Sequence, residues 1–117
     1  MSSRELDFLV DVGCREHRAL LAVDRATGRG VGVVRYVQLK AEPNVAEIAA
    51  TVSDDWQGHG LGSAMVGELI EQARDDGFSA LRASVLATNR RSVAMLLRTG
   101  FAPLPSRGTL RDYQLVL

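Results

Sequence analysis

A single cysteine, Cys14, excludes an internal disulfide, and no Cys/His cluster at ligand spacing accompanies it, so no metal site is expected. One lone thiol fits a reducing, cytoplasmic setting. No run of about 18 apolar residues offers a membrane span, and residues 1–12 carry acidic side chains instead of the apolar stretch of a signal peptide. Charge of one sign is missing too. Fourteen basic side chains, thirteen of them arginine, offset fourteen acidic ones, leaving no net field to draw the chain to nucleic acid or an anionic membrane. With no repeat, low-complexity tract or linker, the 117 residues read as one domain, long enough to bury a core unaided.

What is present concentrates in Gln57-Gly58-His59-Gly60-Leu61-Gly62. This stretch follows an apolar, strand-like run at residues 48–52 and opens into a helical pattern. Leu61, Met65, Val66, Leu69, Ile70 and Ala73 fall on one face, with Glu68, Glu71, Arg74 and Asp75 on the others. Side chains are absent at the glycines, and the first helical turn leaves amide hydrogens without intrahelical partners, which suits a phosphate. The spacing decides between kinds of phosphate loop. No lysine follows the glycines to reach a terminal phosphate, as a nucleotide P-loop requires. A G-x-G-x-x-G fingerprint would end at Ser63 counted from Gly58 and at Met65 counted from Gly60, so it fails in both registers.

The rest of the chain punctuates clearly. A short helix is expected over residues 3–12, then strands at 19–24 and 31–39 joined by a turn around Ala26-Thr27-Gly28. Glu42-Pro43-Asn44 makes the next turn before a strand at 45–53. Gly77-Phe78 ends the central helix, residues 80–86 alternate as a strand, Asn89 opens a second helix, and Gly100-Phe101 closes it. Pro103 and Pro105 bracket a break ahead of a last strand at 110–117. The expected architecture is an α/β sandwich built on a mixed sheet.

The pattern Q-x-x-G-x-G at Gln57, Gly60 and Gly62 resembles the pyrophosphate signature of the GNAT superfamily of acyl-CoA-dependent N-acetyltransferases. Asn89, eleven residues before Gly100-Phe101, is similar to that family's second half. The resemblance covers roughly residues 17–117 and is strongest over 46–101. It implies a mostly antiparallel mixed sheet flanked by helices, with acetyl-CoA as cosubstrate and a primary amine as acceptor. By the same resemblance the pyrophosphate would rest on the amides of Gln57, Gly58, His59, Gly60, Leu61 and Gly62, with the Ser63 hydroxyl in reach. The pantetheine arm would run along Ala50, Thr51 and Val52 as an added strand does. Asn89 would bond its amides, and Arg91, beside Arg90, would meet the nucleotide phosphates.

Transfer to an amine needs a base, because a lysine-type amine is unprotonated only about once in two thousand molecules at neutral pH. Glu47 is the candidate, placed where lysine-modifying members of the family carry a glutamate. In an alternating strand it shares a face with Ala49 and Thr51, opposite Ile48 and Ala50, and partial desolvation there would sharpen it as a base. Solvated strand residues look the same in sequence.

Three departures stand out. Leu96 occupies the position where many members carry a tyrosine acid, seven residues after Asn89. His59 replaces a frequent arginine. Only about sixteen residues precede the first clear strand, so the usual first strand and first helix are expected to be absent, and a homodimer is expected to cover the open edge. Asn89-Arg90-Arg91, Leu96-Leu97-Arg98 and Asp55-Trp56-Gln57-Gly58 resemble the bacterial protein-lysine acetyltransferases. The rival expectation is a non-catalytic acyl-CoA-binding or interaction module. His17, Cys14 and Trp56 read as structural, while Tyr36 and Tyr113 fit either a cleft wall or packing.

Overall fold

The computed structural model describes residues 6–10, 14–52 and 60–117. Seven strands and two helices follow in the order β1 (Leu6–Val10), β2 (His17–Asp24), β3 (Gly30–Gln38), β4 (Val45–Val52), α1 (Leu61–Asp75), β5 (Ala80–Leu86), α2 (Arg90–Arg98), β6 (Ala102–Pro103) and β7 (Leu110–Val116). They form one mixed sheet in the order β1-β2-β3-β4-β5-β7-β6. Every neighbouring pair is antiparallel except β4 and β5, which the α1 crossover makes parallel.

The expected helix over residues 3–12 is corrected. Residues Leu6–Val10 are an edge strand, in register with β2 from Leu6 opposite Asp24 to Val10 opposite Leu20. A strand therefore does precede β2, where none was expected, and no helix precedes β2 among the described residues. Five residues are too few for a self-supporting helix, and β2 offers an open ladder of donors and acceptors that this segment pairs with.

Local chemistry accounts for the rest. In the β2–β3 turn, Gly28 takes φ 72°, and its N–H donates to the Asp24 carbonyl at 2.7 Å. The Asp24 carboxylate accepts from the Ala26 N–H at 3.0 Å, closing an Asx turn. Both helices stop by the same device. Gly77 (φ 86°) donates to the Arg74 carbonyl and Phe78 to that of Ala73; Gly100 (φ 102°) donates to that of Leu97 and Phe101 to that of Leu96. This is the Schellman pattern, and the phenylalanine after each glycine turns into the core, 4% and 2% exposed.

The core lies between α1 and one face of the sheet. Leu61, Met65, Val66, Leu69, Ile70 and Ala73 of α1 are buried against Leu20, Ala22, Val34, Tyr36, Ala46 and Ile48. Each large side chain so covered contributes about 1.5–3 kcal/mol. Tyr36 and Tyr113 are core residues, which settles the choice left open by their positions. On the other face Leu21, Val33 and Val37 stay exposed.

One polar node pins the C-terminal end of α1. The Asp76 carboxylate, just past the helix, receives Arg18 Nε at 2.6 Å and Arg18 Nη2 at 2.9 Å, and the Tyr36 hydroxyl also donates to it. Arg15 Nε donates to the Asp76 carbonyl at 2.8 Å, and its guanidinium lies 4.3 Å over the Phe78 ring, which meets Tyr36 edge to face. The Arg18 guanidinium, and after it the Tyr36 hydroxyl, hold the Asp76 carboxyl below the usual carboxylate range against the cost of burial. Burial first, then the Asp76 hydrogen bond, pushes the Tyr36 phenol well above its ordinary range.

Asp76→Asn should cost about 2 kcal/mol and lower Tm by roughly 8 °C in a thermal melt, since it leaves Arg18 facing a neutral amide. With the carboxyl lowered in the fold, its stabilisation is complete above about pH 4 and is lost as pH falls through the lowered value. With the phenol raised, its share is complete below about pH 10 and is lost above it. Denaturant titrations of the variant across pH 2–11 should show a flattened acid limb.

Candidate functional site

β4 and β5 pair over three positions only, Val45 with Ala80, Ala46 with Leu81 and Glu47 with Arg82. Beyond Glu47 they separate, while β4 keeps its other edge on β3 as far as Val52 opposite Gly32. The split leaves the β5-facing edge of β4 with unpaired backbone groups in the middle of a sheet. A cavity of about 370 Å³ occupies the gap. Its walls are Glu47, Ile48, Ala49 and Ala50 of β4 and Ala83, Ser84, Val85 and Leu86 of β5. Val66 of α1 and Ser92, Met95 and Leu96 of α2 close its back, with Asn89 and Leu110 at the side.

Small side chains on β4 keep the gap open. Ala49 and Ala50 are both exposed along it.

Glu47 stands where the strands part. Alternation puts Ala46 and Ile48 in the core and Glu47 and Ala49 on the opposite face. Its register neighbour Arg82 is committed elsewhere, to Glu42 Oε2 at 2.6 Å and Gln114 Oε1 at 2.9 Å. Among the described residues the Glu47 side chain has no hydrogen bond or ion pair, its backbone alone being paired in the sheet. It is exposed, so the partial desolvation expected for it is not supplied by its neighbours in this chain.

α1 follows β4 in the chain, and Val66, in its second turn, lines the gap. Gly60 is the N-cap of α1 at φ 79°, with no side-chain capping bond and no acidic residue in the first turn. Leu61 is buried, and Gly62 and Ser63 fill the first turn, whose amides have no intrahelical acceptor. Ser63 Oγ accepts from Arg98 Nη2 at 3.1 Å, a neighbour that sequence reasoning did not single out. Gln57, Gly58 and His59, like Trp56, lie outside the described residues. Thr51 and Val52 continue β4 along the gap.

Asn89 caps α2, its side-chain oxygen accepting from the Ser92 N–H at 3.2 Å, and this bond fixes the amide at the cavity wall. Arg91 is exposed in the first turn of α2 and does not line the cavity. Leu96, 3% exposed, presents a methyl group to the cavity where an acid was considered. Ser84 and Ser92 line the same space and were missed. Ser92 was findable, since it lies one turn before Leu96 on one helix face. Ser84 was not, because the split of the sheet is what exposes it.

From Glu47 the strand edge runs about 16 Å, five residues of extended chain, to Val52. The described residues hold no cluster of three or more metal-type ligands, and no helix is long and apolar enough to cross a membrane.

The profile of the acetyltransferase (GNAT) family matches residues 3–101, starting well ahead of the range suggested by motifs alone. Acetyltransferase Pat of Mycolicibacterium smegmatis is 33% identical over 95 residues, covering 81% of this chain and 28% of its own length. An acetyltransferase of Pseudomonas aeruginosa is 34% identical over 98 residues, covering 82% and 52%. The chain thus spans about a quarter to a half of these relatives. The crystal structure of the GNAT domain of S. lividans PAT superposes with a TM-score of 0.81 at 25% identity, over 87% of this chain and 61% of that one. With its split sheet and uncapped helix, and with a profile match across most of its length, the chain belongs to the GNAT acetyltransferase family.

Proposed function

We propose that this chain transfers an acetyl group from acetyl-CoA to a primary amine, with a protein lysine as the leading acceptor class and Glu47 as the general base. The observation that carries this reading is the parting of β4 and β5 at Glu47, which opens the edge of the strand that, in chain order, leads from that carboxylate to the bare N-terminus of α1. An extended arm carrying amide groups pairs with such an edge as an added strand would, while its phosphates sit at the positive helix end.

In this reading Glu47, directly or through water, takes a proton from the acceptor ammonium. The freed amine attacks the thioester carbonyl. A backbone N–H of β4 near Ala50 meets the developing negative oxygen, the C–S bond breaks, and the thiolate leaves. The proton that the nitrogen loses as the amide forms passes through water to that thiolate, since Leu96 has none to give; a thiol of ordinary acidity is already an adequate leaving group. Glu47 suits the role because Arg82 beside it is held by Glu42 and Gln114, leaving the carboxylate uncommitted among the described residues. The protein-lysine lean rests on the resemblance carried by Asn89-Arg90-Arg91, Leu96-Leu97-Arg98 and Asp55-Trp56-Gln57-Gly58. Pairing of two copies along the exposed edge of β1 is the associated expectation for assembly.

Glu47→Gln should lower thiol release from acetyl-CoA by about 10²–10⁴-fold, with lysine peptides or small amines as acceptors, while calorimetry shows unchanged coenzyme A affinity. If the unmodified protein binds coenzyme A but releases no thiol across such a panel, the binding-module reading takes its place. Asn89→Asp should keep the cap of α2, with stability within about 0.5 kcal/mol, yet raise KM for acetyl-CoA by removing the amide donor. Asn89→Ala should in addition cost about 1 kcal/mol in chemical denaturation.

A further inference from the structure

We propose that the bare face of β2, β3 and β4 is the docking surface for the acceptor protein, and that it receives an amphipathic helix carrying the target lysine and a carboxylate one turn away. The inference rests on the acetyl-transfer reading above and names the partner of that same site. Large apolar side chains left exposed singly are ordinary, whereas gathered on one face they mark an interaction surface. Of the seven exposed among the described residues, six share the sheet face that carries Glu47: Leu21, Val33, Val37, Leu86, Leu110 and Val116. The register of their strands puts them there. Both helices pack on the opposite face, in the cluster that holds Met65, Leu69 and Leu96, so neither covers this one.

Charge decides what fits there. Along β3 the face presents Val33, Arg35 and Val37 in line, with Leu21 beside Val33 and Glu47 beside Val37. The Arg35 side chain is exposed and, like that of Glu47, has no hydrogen bond or ion pair among the described residues. These two open charges call for their opposites on the partner, a carboxylate for Arg35 and the acceptor ammonium for Glu47. Arg35 and Val37 are two residues apart, about 6.6 Å of strand. Residues four apart on a helix are separated by about 6 Å along its axis and share one side of it. A helix laid along β3 therefore brings a carboxylate to Arg35 and, one turn on, a lysine to the level of Val37 and Glu47, while its apolar stripe covers Val33 and Leu21. A helix is also the usual cover for an apolar sheet face. Across the seam Leu86 and Leu110 continue the apolar field and line the cavity, so the docked lysine meets the gap assigned above to the thioester.

The test measures, by fluorescence anisotropy, the binding of three labelled helical peptides of equal length. The first has a leucine stripe, a single lysine and a glutamate four residues from it; the second has serine in place of the leucines; the third has arginine in place of the glutamate. The first should bind about tenfold tighter than the second, and Val33→Glu should remove that advantage while thiol release with ethanolamine as acceptor stays unchanged. Arg35→Glu should reverse the preference between the first and third peptides, by about threefold to fivefold in each direction, and a gain for the third also shows that the variant is folded. Equal binding of the first two peptides, or an unchanged preference in Arg35→Glu, overturns the assignment. So does a sedimentation result in which Val33→Glu turns a dimer into monomers with peptide affinity unchanged, which would give the face to a second copy. If the unmodified protein binds the first peptide in this pattern but releases no thiol with it or with ethanolamine, the acetyl-transfer reading falls and the docking surface stands.

Discussion

The parting of β4 and β5 after three paired positions is the constraint on which the rest depends. A parallel pair inside a sheet ordinarily continues to the strand ends, because each unpaired amide and carbonyl out of water costs free energy. Here β4 holds to β3 and β5 holds to β7, so the two halves of the sheet are each complete and only their shared seam is open. α1 and α2 pack behind the seam through Val66, Met95 and Leu96, keeping the core closed while the edge stays free. The opening is therefore a property of two stable half-sheets. No single strained residue maintains it.

Much of this was legible from residues alone. The buried face of α1 is the one its spacing dictates, and the strand at Ala80–Leu86 has the bounds its alternation suggested. Both helix ends follow from Gly-Phe, since only glycine accepts the left-handed backbone there without strain and phenylalanine supplies the apolar contact that follows. These are local signals, encoded within about five residues of where they act.

What escaped reading depends on partners distant in sequence. Leu6–Val10 has no clean helical or alternating period, and only the open ladder of β2 makes it a strand. Asp76 reads as one more surface acid after a helix, yet Arg18 and Tyr36, 58 and 40 residues away, make it the most heavily bonded carboxylate among the described residues. Glu47 was placed correctly at a strand position, but its surroundings were not. Its exposure follows from an open sheet face that also bares Leu21, Val33 and Val37, and no alternation within β4 reveals what lies across β2 and β3. Arg98 was seen only as part of a resemblance, because its meeting with Ser63 depends on how α2 crosses α1.

Anchorage of α1 at Asp76 makes the helix a strut of set length and phase. Fifteen residues rising about 1.5 Å each carry the chain some 22 Å from that anchor to Leu61. Removing one residue from within it would draw the far end back by a single rise and turn it by about 100°, swinging Ser63 off the Arg98 guanidinium. Surface positions along the strut are free to drift in identity, but its residue count is not.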